Sequence, residues 1–132
     1  MVLNNSPYKT YFLEKYIKDH SINTAEVENI VEIGAKDCVE SLTFAAMFPN
    51  AHITAFECNP ELVSLCKFNS GMSDRITVVG KMVTDKPENT TFYIPDGESG
   101  MGSMKKSLFP GSSTTVETVR MDDYLGDEEI DL

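Results

Sequence analysis

Two short apolar runs, separated by a glycine turn and a helix-like stretch, constrain the fold of this chain more than any other feature. Residues 29–33 (NIVEI) are rich in β-branched side chains and end at Gly34, and residues 53–56 (ITAF) form the second run. Between them, apolar side chains recur at helical spacing from Val39 to Phe48. Because parallel neighbouring strands need a crossover connection, this pattern predicts an α/β fold.

Further segments extend the pattern on both sides. Apolar residues at helical spacing, among them Tyr8, predict a helix over residues 8–19, and Asn59 followed by Pro60 predicts the start of a helix over residues 61–68. Residues 75–79, 90–94 and 114–121 are β-like, with a loop rich in Gly, Ser and Met over 95–113. We predict an N-terminal helix and connector over residues 1–28 and one α/β domain over residues 29–132.

The charge balance excludes some classes of partner. Eleven Lys and Arg residues stand against 21 Asp and Glu residues, a formal net charge of −10. Such a chain has no general attraction to nucleic acid or to anionic lipid. No apolar run approaches the length of a membrane span, and residues 1–20 lack the apolar block of a secretory signal. We therefore predict a cytoplasmic protein with no nucleic-acid or membrane partner.

The three cysteines, Cys38, Cys58 and Cys66, form no CxxC pair. Reduced thiols are the simplest interpretation of this odd count, and a pairing of Cys38 with Cys58 in space is the alternative. Neither His20 nor His52 lies at zinc-ligand spacing from a cysteine, so no metal site is predicted.

Acidic residues stand where the two predicted strands end. In a doubly wound sheet, ligands bind beyond the carboxyl ends of the strands, and Gly34, Glu57 and Lys81 fall on that edge. An acid after the second strand, about 20 residues beyond the first glycine, is suited to accept hydrogen bonds from ribose hydroxyls. Glu57 meets this condition, so we predict a nucleoside site.

The first turn reads Gly34-Ala35-Lys36-Asp37-Cys38, which has neither the GxGxxG of a dinucleotide site nor a GK[ST] phosphate loop. A phosphate ligand is therefore disfavoured. A cofactor that has an amino acid end fits the turn better. Glu32 would then bind its ammonium group, and the turn amides together with Ser41 would bind its carboxylate. Together with Glu57 on a ribose, these features describe S-adenosylmethionine.

Four segments carry a family resemblance: "VEIGAKDCVESL", "ITAFECNPEL", "ITVVGKMVTDKPENTTFYI" and "TVETVRMDDYL". In this order they resemble the successive blocks of the FkbM-type S-adenosylmethionine-dependent methyltransferases. The resemblance implies a Rossmann-like methyltransferase sheet of parallel strands with flanking helices. Residues 29–132 would then be the N-terminal portion of the S-adenosylmethionine-binding domain, and we expect the sheet to be incomplete at its C-terminal side.

The resemblance and the strand-end argument together give the candidate cofactor-binding residues. Lys36 stands where the family usually has Asn, and Cys38 where it usually has Gly. Lys81 would lie beside the adenine together with Met82. The full candidate set is Glu32, Gly34, Ala35, Lys36, Asp37, Ser41, Glu57, Cys58, Asn59 and Met82.

The resemblance implies O-methylation of a small hydroxylated or glycosyl substrate. No catalytic base is assigned, because His20, His52, Asp122 and Asp123 each have a structural interpretation. Residues 96–104 are flexible in composition and fit either a lid or a plain surface loop. Two alternatives stay open: a cofactor-binding fragment or pseudoenzyme, and an acidic α/β interaction domain. An uncovered sheet edge makes a homo-oligomer possible.

Overall fold

The computed structural model describes residues 7–106 and 108–132, with side chains from residue 11 onward. The described helices are α1 (Pro7–Asp19), α2 (Val39–Met47), α3 (Pro60–Ser70) and α4 (Met121–Leu125). The strands are β1 (Asn29–Ile33), β2 (His52–Phe56), β3 (Ile76–Val79), β4 (Met82–Val83), β5 (Thr90–Pro95), β6 (Gly111–Val116) and β7 (Thr118–Val119). The side chain of Tyr8, predicted on the first helix, lies outside the described residues. None of the described helices has both the length and the apolar character needed to cross a membrane.

A three-stranded parallel sheet in the order β1-β2-β3 forms the centre of the fold. Its register places Ile30 beside Ile53 and Ile53 beside Ile76, so these β-branched side chains share one layer of the core. Phe48, at the end of α2, is fully buried against the same cluster. The predicted α/β class with parallel strands is confirmed for this sheet.

The remaining strands form two smaller sheets. β5 pairs with β6 in antiparallel fashion, and the short strands β4 and β7 pair in parallel. The β-like segment predicted over 114–121 is therefore divided: β6 ends at Val116, β7 ends at Val119, and α4 begins at Met121. Residues 111–119 therefore take part in two sheets, since β6 pairs with β5 and β7 pairs with β4. Between β6 and β7, the carbonyl of Glu117 accepts a hydrogen bond from the amide of Met82.

The last residues of the chain lie beside β1. The amide of Val31 donates to the carbonyl of Leu132 (2.9 Å), and the amide of Leu132 donates to the carbonyl of Asn29 (3.4 Å), which is the bonding pattern of parallel neighbours. The Asp131 carboxylate accepts from the backbone amides of Asn29 (2.9 Å) and Glu28 (2.8 Å). These two bonds hold the pKa of Asp131 below its ordinary value.

A disulfide joins Cys38, at the start of α2, to Cys66 in α3. Their Cα atoms lie 4.9 Å apart, because the N-terminal end of α2 packs against α3. The prediction of reduced thiols is therefore wrong for these two residues. The alternative pairing of Cys38 with Cys58 is also wrong, since Cys58 is free.

Candidate functional site

Glu57 is the first residue after β2 and is held by the backbone of two other segments. One carboxylate oxygen accepts from the amide of Lys36 (2.9 Å), and the other accepts from the amide of Asn59 (2.8 Å). Glu57 is only 8% exposed. A carboxylate has about four acceptor positions. Glu57 is thus fixed in one orientation and retains acceptor capacity for a ligand.

The turn after β1 brings Lys36 to this carboxylate. The amides of Gly34 and Ala35 both donate to the carbonyl of Phe56 (2.9 Å each), which ties the turn to the end of β2. Three residues of the turn have positive φ: Gly34 (83°), Lys36 (54°) and Cys38 (60°). This left-handed region suits Gly and Asn best. Lys36 and Cys38, the two residues that differ from the FkbM-type pattern, thus fall at left-handed positions, and the disulfide anchors Cys38 covalently.

A cleft of about 400 Å³ opens beside Glu57 at the carboxyl edge of the sheet. Five of the predicted site residues line it: Gly34, Lys36, Glu57, Cys58 and Met82. Its apolar walls come from Ile33, Phe56, Leu62, Val83, Phe92 and Met104. The arrangement combines a fixed carboxylate with apolar side chains, which is suited to a ligand that has both hydrogen-bond donors and apolar surface.

Four other predicted site residues, Glu32, Ala35, Asp37 and Ser41, lie in or next to the turn after β1. Ala35 and Ser41 are fully buried, and the Ser41 hydroxyl donates to the Glu32 carboxylate. Asp37 accepts from the amide of Val39 through its side chain (3.3 Å). None of these four predicted residues is part of the described cleft lining. Their contacts to a ligand stay predictions.

Asn59, the last of the predicted residues, connects α3 to the segment above the cleft. Its side-chain oxygen accepts from the amide of Glu61 (3.1 Å), which caps α3 as the sequence predicted. Its side-chain nitrogen donates to the carbonyl of Ser99 (3.0 Å). Ser99 begins a short 3-10 turn (Ser99–Met101), and the link brings this turn to the cleft. No local sequence pattern indicates a contact across 40 residues.

The segment predicted as a lid or a plain loop is packed on the sheet formed by β5 and β6. Ser103 exchanges backbone hydrogen bonds with Tyr93 (2.8 and 3.0 Å). Gly102 lies so close to Phe92 that an added Cβ would overlap the ring. Residues 99–104 therefore form one wall of the cleft, held by β5 on one side and by Asn59 on the other.

Cys58 is a free thiol in the cleft wall. Burial, followed by the negative charge of Glu57, raises its pKa from 9.0 to about 11. The thiol is therefore protonated at neutral pH, and Cys58 is unsuited to act as a nucleophile.

Two lysines give the cleft positive charge. Lys81 follows β3 and forms an ion pair with Glu117 (3.4 Å). Lys36 lines the opposite side, on the turn after β1. The carboxyl ends of β1, β2 and β3 thus bring one carboxylate and two ammonium groups to one cleft. Among the described lining residues there is no histidine or aspartate.

The sequence matches no protein-family profile and no curated protein. Solved structures that resemble the chain include a provisionally named caffeoyl-CoA O-methyltransferase from Staphylococcus aureus (21% identity, TM-score 0.45, 55% of this chain and 34% of that one). The O-MT segment of StiE is 9% identical (TM-score 0.47, 58% and 28%). The S-adenosylmethionine-dependent methyltransferase SibL in its apo form is 15% identical (TM-score 0.44, 65% and 24%). The chain therefore spans about a third or less of the length of these proteins.

Proposed function

We propose that this chain binds S-adenosylmethionine and belongs to a methyltransferase. The observation that carries the proposal is the Glu57 carboxylate, which the amides of Lys36 and Asn59 fix at the carboxyl edge of a parallel sheet and beside an apolar cleft. A buried acid in this position is a recurrent ribose partner in doubly wound folds. The absence of a glycine-rich phosphate loop favours a nucleoside over a nucleotide.

In this proposal Glu57 accepts hydrogen bonds from the two ribose hydroxyls through its remaining lone pairs. Leu62, Met82 and Val83 provide an apolar surface for the adenine. The cofactor supplies an electrophilic methyl group on its sulfonium. The contribution of the chain is to fix the orientation of the nucleoside, because in-line transfer depends on alignment with the acceptor.

We also propose a specific family and a substrate class. The four ordered sequence blocks favour the FkbM-type family and O-methylation of a small hydroxylated or glycosyl substrate. Homo-oligomer formation and the lack of nucleic-acid and membrane partners belong to the same proposal. A cytoplasmic location also belongs to it, although disulfides such as that of Cys38 with Cys66 are rare in that compartment.

A second candidate is a cofactor-binding unit without catalysis. The observation that favours it is the composition of the cleft: among its described lining residues, Glu57 is the only carboxylate, and the Cys58 thiol has a pKa of about 11. Transfer to a hydroxyl benefits from a group that removes its proton. Neither residue is suited to that task, because the Cys58 thiol is already protonated at neutral pH and the remaining lone pairs of Glu57 are assigned to the ribose hydroxyls.

Calorimetric titration with S-adenosylhomocysteine, adenosine and ATP tests the proposed ligand class. We expect the first two to bind and ATP to bind at least tenfold more weakly, since the turn offers no cradle for phosphates. Preferential binding of ATP would contradict the proposal. Methyl transfer from labelled S-adenosylmethionine to a panel of glycosides then separates an enzyme from a non-catalytic binder.

A further inference from the structure

Lys36 occupies a special place in the cleft because its backbone and side chain contact different walls. Its amide donates to Glu57 (2.9 Å). Its side chain extends toward the 3-10 turn, so that a Cβ added at Gly100 would lie 3.2 Å from the Lys36 Cε and 3.8 Å from its Nζ. The residue thus spans the cleft between the turn after β1 and the wall formed by residues 99–104.

The ammonium group of Lys36 has a different environment from that of Lys81. Lys81 pairs with Glu117 at 3.4 Å, whereas Lys36 forms no ion pair among the residues that the structure describes. The carboxylate nearest to its backbone, Glu57, already accepts two amide hydrogen bonds. Lys36 therefore presents an ammonium group on the wall of the cleft that has no carboxylate at ion-pair distance among the described residues, and this group can donate to an anionic ligand group.

The amino acid end of the proposed cofactor carries such a group. The sequence suggested Ser41 as a partner for its carboxylate, yet Ser41 is fully buried and its hydroxyl donates to Glu32. Lys36 is on the cleft surface and has three ammonium hydrogens to donate. FkbM-type proteins usually have Asn at this position, and the longer Lys36 side chain extends farther into the cleft than Asn would.

We propose that Lys36 binds the carboxylate of the ligand's amino acid end and so selects nucleosides that carry this carboxylate over those that lack it. This inference rests on the proposed function and adds a specificity-determining residue to it. Glu57 holds the ribose, Lys36 holds the anionic terminus, and the bond from the Lys36 amide to the Glu57 carboxylate keeps the two residues side by side.

The test compares S-adenosylhomocysteine with 5′-deoxy-5′-(3-aminopropylthio)adenosine, which has the same nucleoside and ammonium group but no carboxylate. Calorimetric titration of the whole chain should give a preference of about fivefold or more for S-adenosylhomocysteine, the size expected of a charge-assisted bond that is partly exposed to solvent. Lys36→Met should remove this preference and leave the affinity for the decarboxylated nucleoside within about twofold. Lys36→Arg should restore the preference, because it keeps the cation.

Lys67→Met is the matched control, because it removes the same charge from an exposed position on α3 outside the cleft. It should leave the preference unchanged. Thermal melts confirm that each variant is folded. Equal binding of both nucleosides by the unaltered chain, or a preference that survives in Lys36→Met, overturns the inference alone. If the folded chain binds neither nucleoside, the proposed function is overturned and the inference with it.

Discussion

The Glu57 carboxylate accepts a hydrogen bond from the backbone amide of Lys36 at 2.9 Å, so the acid that follows β2 is oriented by the turn that follows β1. The amide of Asn59 holds the second oxygen at 2.8 Å. Three separate strand and helix ends thus converge on one side chain. Any change that moves the turn also moves the carboxylate that faces the cleft.

The two bonds of the Asn59 side chain should be separable by substitution. Asn59→Ala loses the cap of α3 and the link to Ser99, and we expect it to lower the free energy of unfolding by about 1–2 kcal/mol or more. Asn59→Ser keeps a capping oxygen but is too short to reach Ser99. It should retain most of the stability, while amide exchange in residues 99–104 becomes faster. Equal losses of stability in urea unfolding for the two variants would show that the cap contributes little.

The reactivity of Cys58 should report the electrostatics of the cleft. Because its pKa is raised from 9.0 to about 11, the alkylation rate with iodoacetamide should reach half its maximum near pH 11 in the folded chain and near pH 9 in the unfolded chain. Glu57→Gln removes the second cause of the shift and leaves burial, so its midpoint should fall only part of the way toward 9.0. A folded-state midpoint at 9.0 would contradict the burial of this thiol.

The disulfide predicts the number of reactive thiols. Without reductant, the denatured chain should show one thiol, that of Cys58, and after reduction it should show all three. The Cys58→Ser variant should show none before reduction. Because Cys38 and Cys66 are 28 residues apart, reduction should lower the free energy of unfolding by roughly 3–4 kcal/mol in the chain-entropy account. Three thiols in the unreduced chain would rule out the bond.

The contact between Gly102 and Phe92 should make residue 102 intolerant of a side chain. An added Cβ would overlap the Phe92 ring, so Gly102→Ala should lower the free energy of unfolding by roughly 1–3 kcal/mol and displace the wall formed by residues 99–104. Gly100→Ala is the control in the same segment. Its Cβ meets only the flexible end of Lys36, so its stability in urea should change much less. Equal effects of the two variants would contradict the close packing at Phe92.

Local sequence patterns predicted those helices and strands whose signals lie within one short segment of the chain. β1, β2 and the capped start of α3 follow from β-branched runs and from Asn59 with Pro60, because these signals act between residues close in the chain. The position of Glu57 followed from the same logic, since parallel strands bring their carboxyl ends to one edge.

Contacts between distant segments could not be predicted in this way. The disulfide of Cys38 with Cys66 depends on how α2 packs against α3, which no spacing rule encodes. The two-residue strands β4 and β7 are too short to have a period, and the bond from Asn59 to Ser99 depends on where the loop lies. The same limit applies to Ser41, whose burial beneath Glu32 is a result of packing.

The most direct test of the proposed site is calorimetric titration of the chain and of its Glu57→Ala variant with S-adenosylhomocysteine, with Glu57→Gln as a conservative companion. Glu57 should provide charged hydrogen bonds to the ribose, so we expect the unaltered chain to bind and both variants to bind roughly 10- to 100-fold more weakly while remaining folded by circular dichroism. Failure of the folded, unaltered chain to bind, or unchanged affinity in Glu57→Ala, would contradict the account.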